Sequence, residues 1–184
     1  MQCVYYIWYI QAHEISVSYG GEKKVLVPAV LYKKQIEEAF AARFYTKEMF
    51  LVTGCLDNWV PNIAENPDSS TFQFAMVSSN GDLLGYLAYS VDWYVSKAYN
   101  FGVMSFNLGN PVVGADLFHE LEKLVSLLHR IEWRMVGGNP VEKSYDAFCE
   151  KHGGEKFVLK DTMKDSNGEY HDDVIYEIVS EVKR

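Results

Sequence analysis

The sequence predicts one α/β domain, α+β in its element order, built on a mixed and mostly antiparallel sheet with a central parallel strand pair and helices on both faces. Three observations point there. A strand-like run at 98–106 leads to a long amphipathic helix at 115–129 and then to another run at 131–136. Such a strand–helix–strand crossover returns parallel beside its starting strand. The apolar runs 72–78 and 83–92 meet through Ser79-Asn80-Gly81-Asp82, where Asn-Gly is a strong hairpin-turn pair. The chain then closes on two more runs, 156–161 and 173–179, across a turn at Ser166-Asn167-Gly168.

The remaining elements follow in order. Residues 4–10, Val-Tyr-Tyr-Ile-Trp-Tyr-Ile, are β-branched and aromatic and read as a strand. A second strand is expected at 24–30. Tyr32, Ile36, Ala39, Phe40 and Phe44 recur every third or fourth place, which predicts an amphipathic helix over 31–45. Thr46 opens a short helical stretch through Val52 that Gly54 stops. In the long helix, Leu117, Leu121, Leu124, Val125 and Leu128 make one apolar face, with Asp116, Glu120 and Lys123 expected outward. After 131–136 comes Gly137-Gly138-Asn139-Pro140, and a helix takes up at Val141, where proline in the first turn is tolerated. Its apolar face is Val141, Tyr145, Phe148 and Cys149, and Gly153-Gly154 ends it.

Composition narrows the function. The 184 residues are 48% hydrophobic and 23% charged, values of a folded chain long enough for one full core. The net charge of −8 and the lack of a basic run argue against nucleic acid as a partner. An acidic surface suits a cationic acceptor and equally suits plain solubility. Cys3, Cys55 and Cys149 show no CxxC spacing, and the five histidines show no HxH or HExxH, so no metal site is signalled. An odd cysteine count fits a reducing compartment. The run at 4–10 is far below the ~20 residues of a membrane helix and lacks the flanks of a signal peptide. The expectation is a cytoplasmic protein with no membrane partner, a single domain over 1–184 whose residues 1–23 form an extension. The β-prone run in that extension is predicted to add a strand, either to its own sheet or across a homodimer interface.

Two segments carry a resemblance. One is Gly109-Asn110-Pro111-Val112-Val113-Gly114 running into Ala115-Asp116-Leu117-Phe118. The other is Glu132-Trp133-Arg134-Met135-Val136-Gly137-Gly138-Asn139, followed by a helix that ends Phe148-Cys149-Glu150-Lys151-His152-Gly153-Gly154. With the element order, they resemble the GNAT superfamily of N-acetyltransferases from Lys24 onward. The first is similar to the family's diphosphate loop, Gln/Arg-x-x-Gly-x-Gly/Ala, which opens the long helix. Gly114 matches its last glycine. Gly109 replaces the opening Gln/Arg, Val112 replaces the first motif glycine, and Pro111 removes one N–H. The second is similar to the strand ending in asparagine and the helix that closes Leu-Tyr-Glu-Lys-x-Gly-Phe. Asn139 matches the asparagine, Cys149 stands where the family has tyrosine, and Gly154 where it has phenylalanine.

The resemblance implies acyl transfer from acetyl-CoA, as co-substrate, to a primary amine of a small molecule or peptide. It implies that Gly109, Asn110, Val112, Val113, Gly114 and Ala115 meet the cofactor diphosphate at a helix N-terminus. It implies that Asn139 lies near the pantetheine arm, and that a backbone N–H at Ser105 or Phe106 polarises the thioester carbonyl. The proton for the departing thiolate then falls to Cys149, or to Tyr145 one turn earlier on the same helix face. Both also fit simple core packing. No carboxylate stands in 98–106 as a base; Asp92, Glu132 and Glu48 are the nearest. Trp59, Trp93 and Tyr94 fall in segments that flank the family's acceptor groove. Two readings from different classes remain open: an active N-acetyltransferase, and a catalytically inactive CoA-binding or protein-interaction module on the same fold.

Overall fold

The structure is a computed structural model that describes residues 18–19, 22–23, 25–44, 46–51, 60–66 and 68–180. The predicted strand at 4–10, and Trp59, lie outside the described residues. Strands β1 (Ser18–Tyr19) and β2 (Glu22–Lys23) pair as a small ribbon. The main sheet holds β3 (Val25–Pro28), β4 (Thr71–Val77), β5 (Leu83–Asp92), β6 (Lys97–Ser105), β7 (Arg130–Val136), β8 (Glu155–Lys164) and β9 (Tyr170–Val179). Their order across the sheet is β3-β4-β5-β6-β7-β9-β8. Only β6 and β7 run parallel; every other neighbouring pair in this sheet is antiparallel.

Among the described residues three α-helices cover it: α1 (Lys33–Arg43), α2 (Pro111–Leu127) and α3 (Glu142–Lys151). Strand alternation sorts the core into two layers. On one face, Leu87 and Tyr89 of β5, Phe101 and Val103 of β6, and Trp133 of β7 meet Leu117, Leu121 and Leu124 of α2 and Tyr145 and Phe148 of α3. On the other, Ala75, Val77, Tyr86, Ala88 and Met104 meet Ile36 and Phe40 of α1. The mixed sheet, the parallel pair and helices on both faces are therefore as the sequence predicts. No helix among the described residues is long and apolar enough to cross a membrane.

Three expectations change and one is refined. The helix expected over 31–45 is a 3-10 turn, Ala29–Tyr32, followed by α1. The short helical stretch expected after Thr46 is a single 3-10 helix, Lys47–Leu51. The long helix starts at Pro111 instead of residue 115, because Pro111 suits its first position and the Asn110 side chain caps it. Asp116 and Glu120 are buried rather than outward, at 4% and 1% exposure. Helical spacing places them at the margin of the apolar stripe, where β5 comes close. Tyr89 Oη donates to Glu120 Oε1 at 2.6 Å and Lys123 Nζ lies 2.9 Å from the same oxygen. Burial, with the Glu120 carboxylate beside it, pushes the Tyr89 phenol far up.

Candidate active site

The parallel strands do not stay together. Lys97 faces Arg130, Ala98 faces Ile131 and Phe101 faces Trp133, and there the ladder between β6 and β7 ends. From Ala98 to Phe101 β6 uses three steps where β7 uses two, and Asn100 takes the extra one with φ 52. This is a bulge, which bends a strand and strengthens its twist. β6 continues to Ser105 along β5, and β7 continues to Val136 along β9. Each strand thus follows its outer neighbour, and a V-shaped gap opens between them.

The ladder on the outer side of β6 fixes what faces the gap. Phe106 N–H donates to Leu84 O at 2.8 Å, so it points to β5. Backbone groups alternate along a strand, so the Ser105 N–H points the other way, toward β7. Of the two N–H groups proposed from sequence, only that of Ser105 faces the gap. The Ser105 hydroxyl turns back to Asn107 O at 2.9 Å.

Both arms of the gap end in the same tripeptide. Gly109-Asn110-Pro111 closes β6 and opens α2; Gly138-Asn139-Pro140 closes β7 and leads to α3. Both glycines are in the left-handed region, φ 81 and φ 80, where a side chain is strained. In both, the asparagine Oδ1 accepts the N–H two residues on: Val112 at 2.9 Å and Val141 at 3.1 Å. The surroundings then differ. Asn139 is 7% exposed, and its Nδ2 donates to Leu51 O at 2.7 Å. Glu142 Oε2 accepts the Gly138 N–H at 2.7 Å, so a carboxylate already sits at the start of α3. The first turn of α2 carries no acidic residue. Its partial positive charge is therefore carried at the mouth of the gap by the N–H of Val113, the first-turn donor that the Asn110 cap does not take up. A Cβ placed on Gly114 or Gly109 would meet nothing within 4 Å. Val112 is half-buried against the core and Val113 is buried, while Ala115 is half-buried one residue past the turn.

The two proton-donor candidates lie at different heights. Tyr145 is fully buried, with its ring 5.5 Å from Trp133, 5.7 Å from Tyr176 and 5.7 Å from Phe118. Trp133 is the last β7 residue paired with β6, so Tyr145 stands at the foot of the gap. Cys149 sits one turn further from it. Its Sγ lies 3.5 Å from Glu155 O and 4.0 Å from Glu177 O. Glu177 pairs with Glu132, beside the part of β7 where the parallel ladder is intact. Burial, and then the Asp146 charge, push the thiol up. A Cβ on Gly154 would lie 2.7 Å from the Cys149 sulfur and 2.5 Å from Glu177 O, which is why glycine stands there.

Two of the carboxylates considered as bases, Asp92 and Glu132, are not at the gap. Asp92 Oδ1 accepts the Tyr94 N–H at 2.9 Å in the β5–β6 turn, at the opposite end of β6. Exposed Tyr94 and half-exposed Trp93 share that turn and do not approach the mouth. Glu132 lies on the face away from α2 and α3, 2.8 Å from Lys97 and 3.1 Å from Arg130. Glu48 is in the 3-10 turn after α1. Among the described residues one group has metal-ligand atoms close together: Asp165, Glu169 and His171, within 4.8 Å in the β8–β9 turn. The Asp165 carboxylate there accepts the Asn167 and Glu169 N–H groups, both at 2.9 Å, which closes the turn.

Sequence reasoning missed Arg43. Its Nη2 donates to Phe106 O at 2.9 Å, its Nη1 to Ala39 O at 3.0 Å, and the guanidinium lies 5.2 Å from the centre of the Phe106 ring. The last turn of α1 thereby holds the tip of β6 and brings a cation to the mouth. The only sequence signal was a basic residue near a helix end, which suits the helix dipole anywhere.

No protein-family model matches the chain, and no curated protein matches it in sequence. Its backbone does match solved structures. One is RimL, a ribosomal L7/L12 α-N-protein acetyltransferase in complex with coenzyme A: TM-score 0.61, 13% identity, 91% of this chain and 98% of that one. Another is the microcin C7 self-immunity acetyltransferase MccE in complex with acetyl-CoA and AMP: TM-score 0.60, 15% identity, 92% and 99% coverage. A third is an acetyltransferase structure from Sphaerobacter thermophilus DSM 20745: TM-score 0.58, 17% identity, 92% and 99% coverage. At these identities the likeness concerns the backbone, and it runs over nearly the whole length of both chains. The diverging parallel strands, the helix opening at their mouth and these neighbours together give the conclusion: this chain has the fold of the GNAT acyl-CoA N-acyltransferases.

Proposed function

We propose that the protein is an N-acetyltransferase that uses acetyl-CoA to acetylate a primary amine. The observation that carries this reading is the end of the β6–β7 ladder at Phe101 and Trp133, in front of a helix start free of acidic residues. A helix N-terminus without a carboxylate suits a diphosphate. The residues that would hold it are Gly109, Asn110, Val112, Val113, Gly114 and Ala115. The open space over Gly114 fits a ligand lying close to backbone. Acetyl-CoA would supply the activated acyl carbonyl and a thiolate leaving group; the amide C–N bond forms as the thioester C–S bond breaks.

The chain's own groups do the rest. The Ser105 N–H, directed into the gap, is placed to donate to a carbonyl oxygen as charge develops on it. The Phe106 N–H is committed to β5, so Phe106 contributes its ring and the carbonyl that Arg43 holds. Asn139 keeps the end of β7 in place through Leu51 rather than offering its amide to a ligand. Tyr145, at the foot of the gap, is the better placed proton donor for the thiolate, and Cys149 the second candidate. With Asp92 and Glu132 away from the mouth, an ordered water is the proposed acceptor of the ammonium proton.

The burial of Cys149 at the family's tyrosine position favours a second reading, an inactive CoA-binding module. One experiment separates them. Acetyl-CoA is expected to raise the melting temperature, and thiol release over a panel of amines is expected with at least one acceptor. Tyr145→Phe is expected to lower that rate by roughly 10²–10⁴-fold with CoA affinity retained. Stabilisation without thiol release means the inactive module. No stabilisation at millimolar acetyl-CoA removes both.

A further inference from the structure

The foot of the gap holds a hydrogen-bond donor that the fold does not use. Trp133 is 2% exposed, and its Nε1–H has no acceptor among the described residues. A buried indole N–H ordinarily finds a partner, and leaving it without one is costly. Strand alternation puts the indole on the face covered by α2 and α3. Tyr176, its register partner on β9, lies flat against it, ring centres 5.2 Å apart and planes 13° apart. Tyr145 and Phe148 of α3 close over it at 5.5 Å and 6.1 Å. The Tyr176 hydroxyl is turned to Asp146 instead, at 2.6 Å.

The side toward β6 differs. Phe101 stands opposite Trp133 in the parallel ladder, yet its ring stacks with Tyr89 of β5, 5.8 Å away and 19° from parallel. The two rings part as their strands do, one drawn to β5 and the other to β9. Among the described residues no ring of β6 joins the Trp133 stack. The flank of the indole toward β6 is therefore where the gap begins, and a ligand in the gap approaches from there.

The chemistry of the group says what it can serve. An indole N–H donates and never accepts, and it keeps its proton at neutral pH. It suits an atom that gains negative charge and needs a hydrogen bond rather than a proton. In the cleavage of a thioester that atom is the sulfur. Tyr145, its ring 5.5 Å from the indole, stands beside it as the group that can give a proton.

We propose that Trp133 is a catalytic residue whose indole N–H donates a hydrogen bond to the coenzyme A sulfur as the acyl group leaves. The proposal rests on the acyl-transfer reading. As the amine nitrogen bonds to the acyl carbon, the C–S bond breaks and its electron pair goes to sulfur. The Trp133 N–H holds that sulfur and keeps its own proton. Tyr145 Oη supplies the proton, and its phenolate regains one from the ammonium through water. A fixed donor in a buried site needs no reorganisation at that moment, which is where such a bond is worth most.

Binding tests this before turnover does. The four tryptophans of the full chain give four indole N–H resonances, and Trp133→Phe identifies the one that is lost. Coenzyme A is expected to move that resonance downfield, and further than desulfo-coenzyme A, which lacks only the sulfur. Replacing the Trp133 indole by benzothiophene keeps the ring shape and removes the N–H. That variant is expected to bind coenzyme A roughly threefold more weakly and desulfo-coenzyme A as the parent does. Its thiol release is expected to fall by roughly 10–100-fold. Equal losses of affinity for the two ligands would mean packing alone and overturn the proposal. So would a resonance that moves equally with both, or with neither, while acetyl-CoA still raises the melting temperature. The acyl-transfer reading then stands without Trp133. No thermal shift with acetyl-CoA removes that reading, and the proposal with it.

Discussion

The turn that closes β6 and the turn that closes β7 share the sequence Gly-Asn-Pro and share a backbone, yet they do different work. Left-handed glycine, asparagine bonded two residues on, and proline at the entry to the helix recur in both. Local chemistry decides that much, because each bond spans at most three residues. At 138–140 the asparagine amide is buried and tied to Leu51, and Glu142 covers the helix start. At 109–111 the turn faces the mouth of the gap and no acidic residue follows in the first turn. One turn is a structural joint, and the other leaves a helix start with no acidic residue in its first turn. The difference comes from what the rest of the chain brings to each.

The largest expected effect tests the joint. Asn139→Ala removes the cap on Val141 and leaves the Leu51 carbonyl unpaired, and should cost roughly 2–3 kcal/mol by denaturant unfolding. Asn110→Ala removes one cap bond at a half-buried site and should cost about 1 kcal/mol. Equal losses would mean that Leu51 adds nothing and that the two turns differ only in name.

Next come the glycines, where the turns should behave alike. Gly109→Ala and Gly138→Ala each force a side chain into the left-handed region, in open space, at about 1–2 kcal/mol. A clear inequality would show that one turn relaxes and the other does not.

A smaller effect of opposite sign is expected at Gly114. Its Cβ site is empty and the residue is helical, so Gly114→Ala should stabilise the protein by about 0.5–1 kcal/mol. The same methyl would stand where the diphosphate is proposed to lie, so the thermal shift with acetyl-CoA should shrink. An alanine variant that is more stable and binds as well as the parent would place the ligand elsewhere.

The smallest effect concerns charges over α3, beyond the joint. Burial pushes the Asp146 carboxyl up, but hydrogen bonds from Lys156 and Tyr176 outweigh it and leave its pKa below the ordinary 3.8. A depressed folded pKa contributes stability above the unfolded value, and that stability is lost as pH falls through the folded one. Asp146→Asn should therefore lower the melting temperature slightly at neutral pH, and the gap should close in strong acid. A gap that widens in acid would reverse the assignment.

Much of this was legible in the chain. Asn80-Gly81 announces the β4–β5 hairpin, with Gly81 at φ 86, and the strand–helix–strand crossover announces the parallel pair. The entry to the long helix at 109–115 was legible as well, though not that most of it is helix. The proposed roles of its residues still await the tests above. Asp116 and Glu120 were read as outward because a polar residue at the margin of a helical stripe has no sequence mark of burial. For Glu120, the approach of Tyr89 from thirty-one positions away adds a buried partner to the nearby Lys123 and makes its burial tolerable. Arg43 is the same case: the carbonyl it holds is sixty-three positions away.

The sequence by itself determined the element order, the turns and the layer each apolar residue joins, since these depend on neighbours within a few residues and on periodicity. Only the tertiary structure decided that β6 and β7 part after Phe101 and Trp133, which of two N–H groups faces the gap, and which of two like turns is left open. Those outcomes are set by long-range pairing: β5 draws β6 one way, β9 draws β7 the other, and the bulge at Asn100 lets them separate.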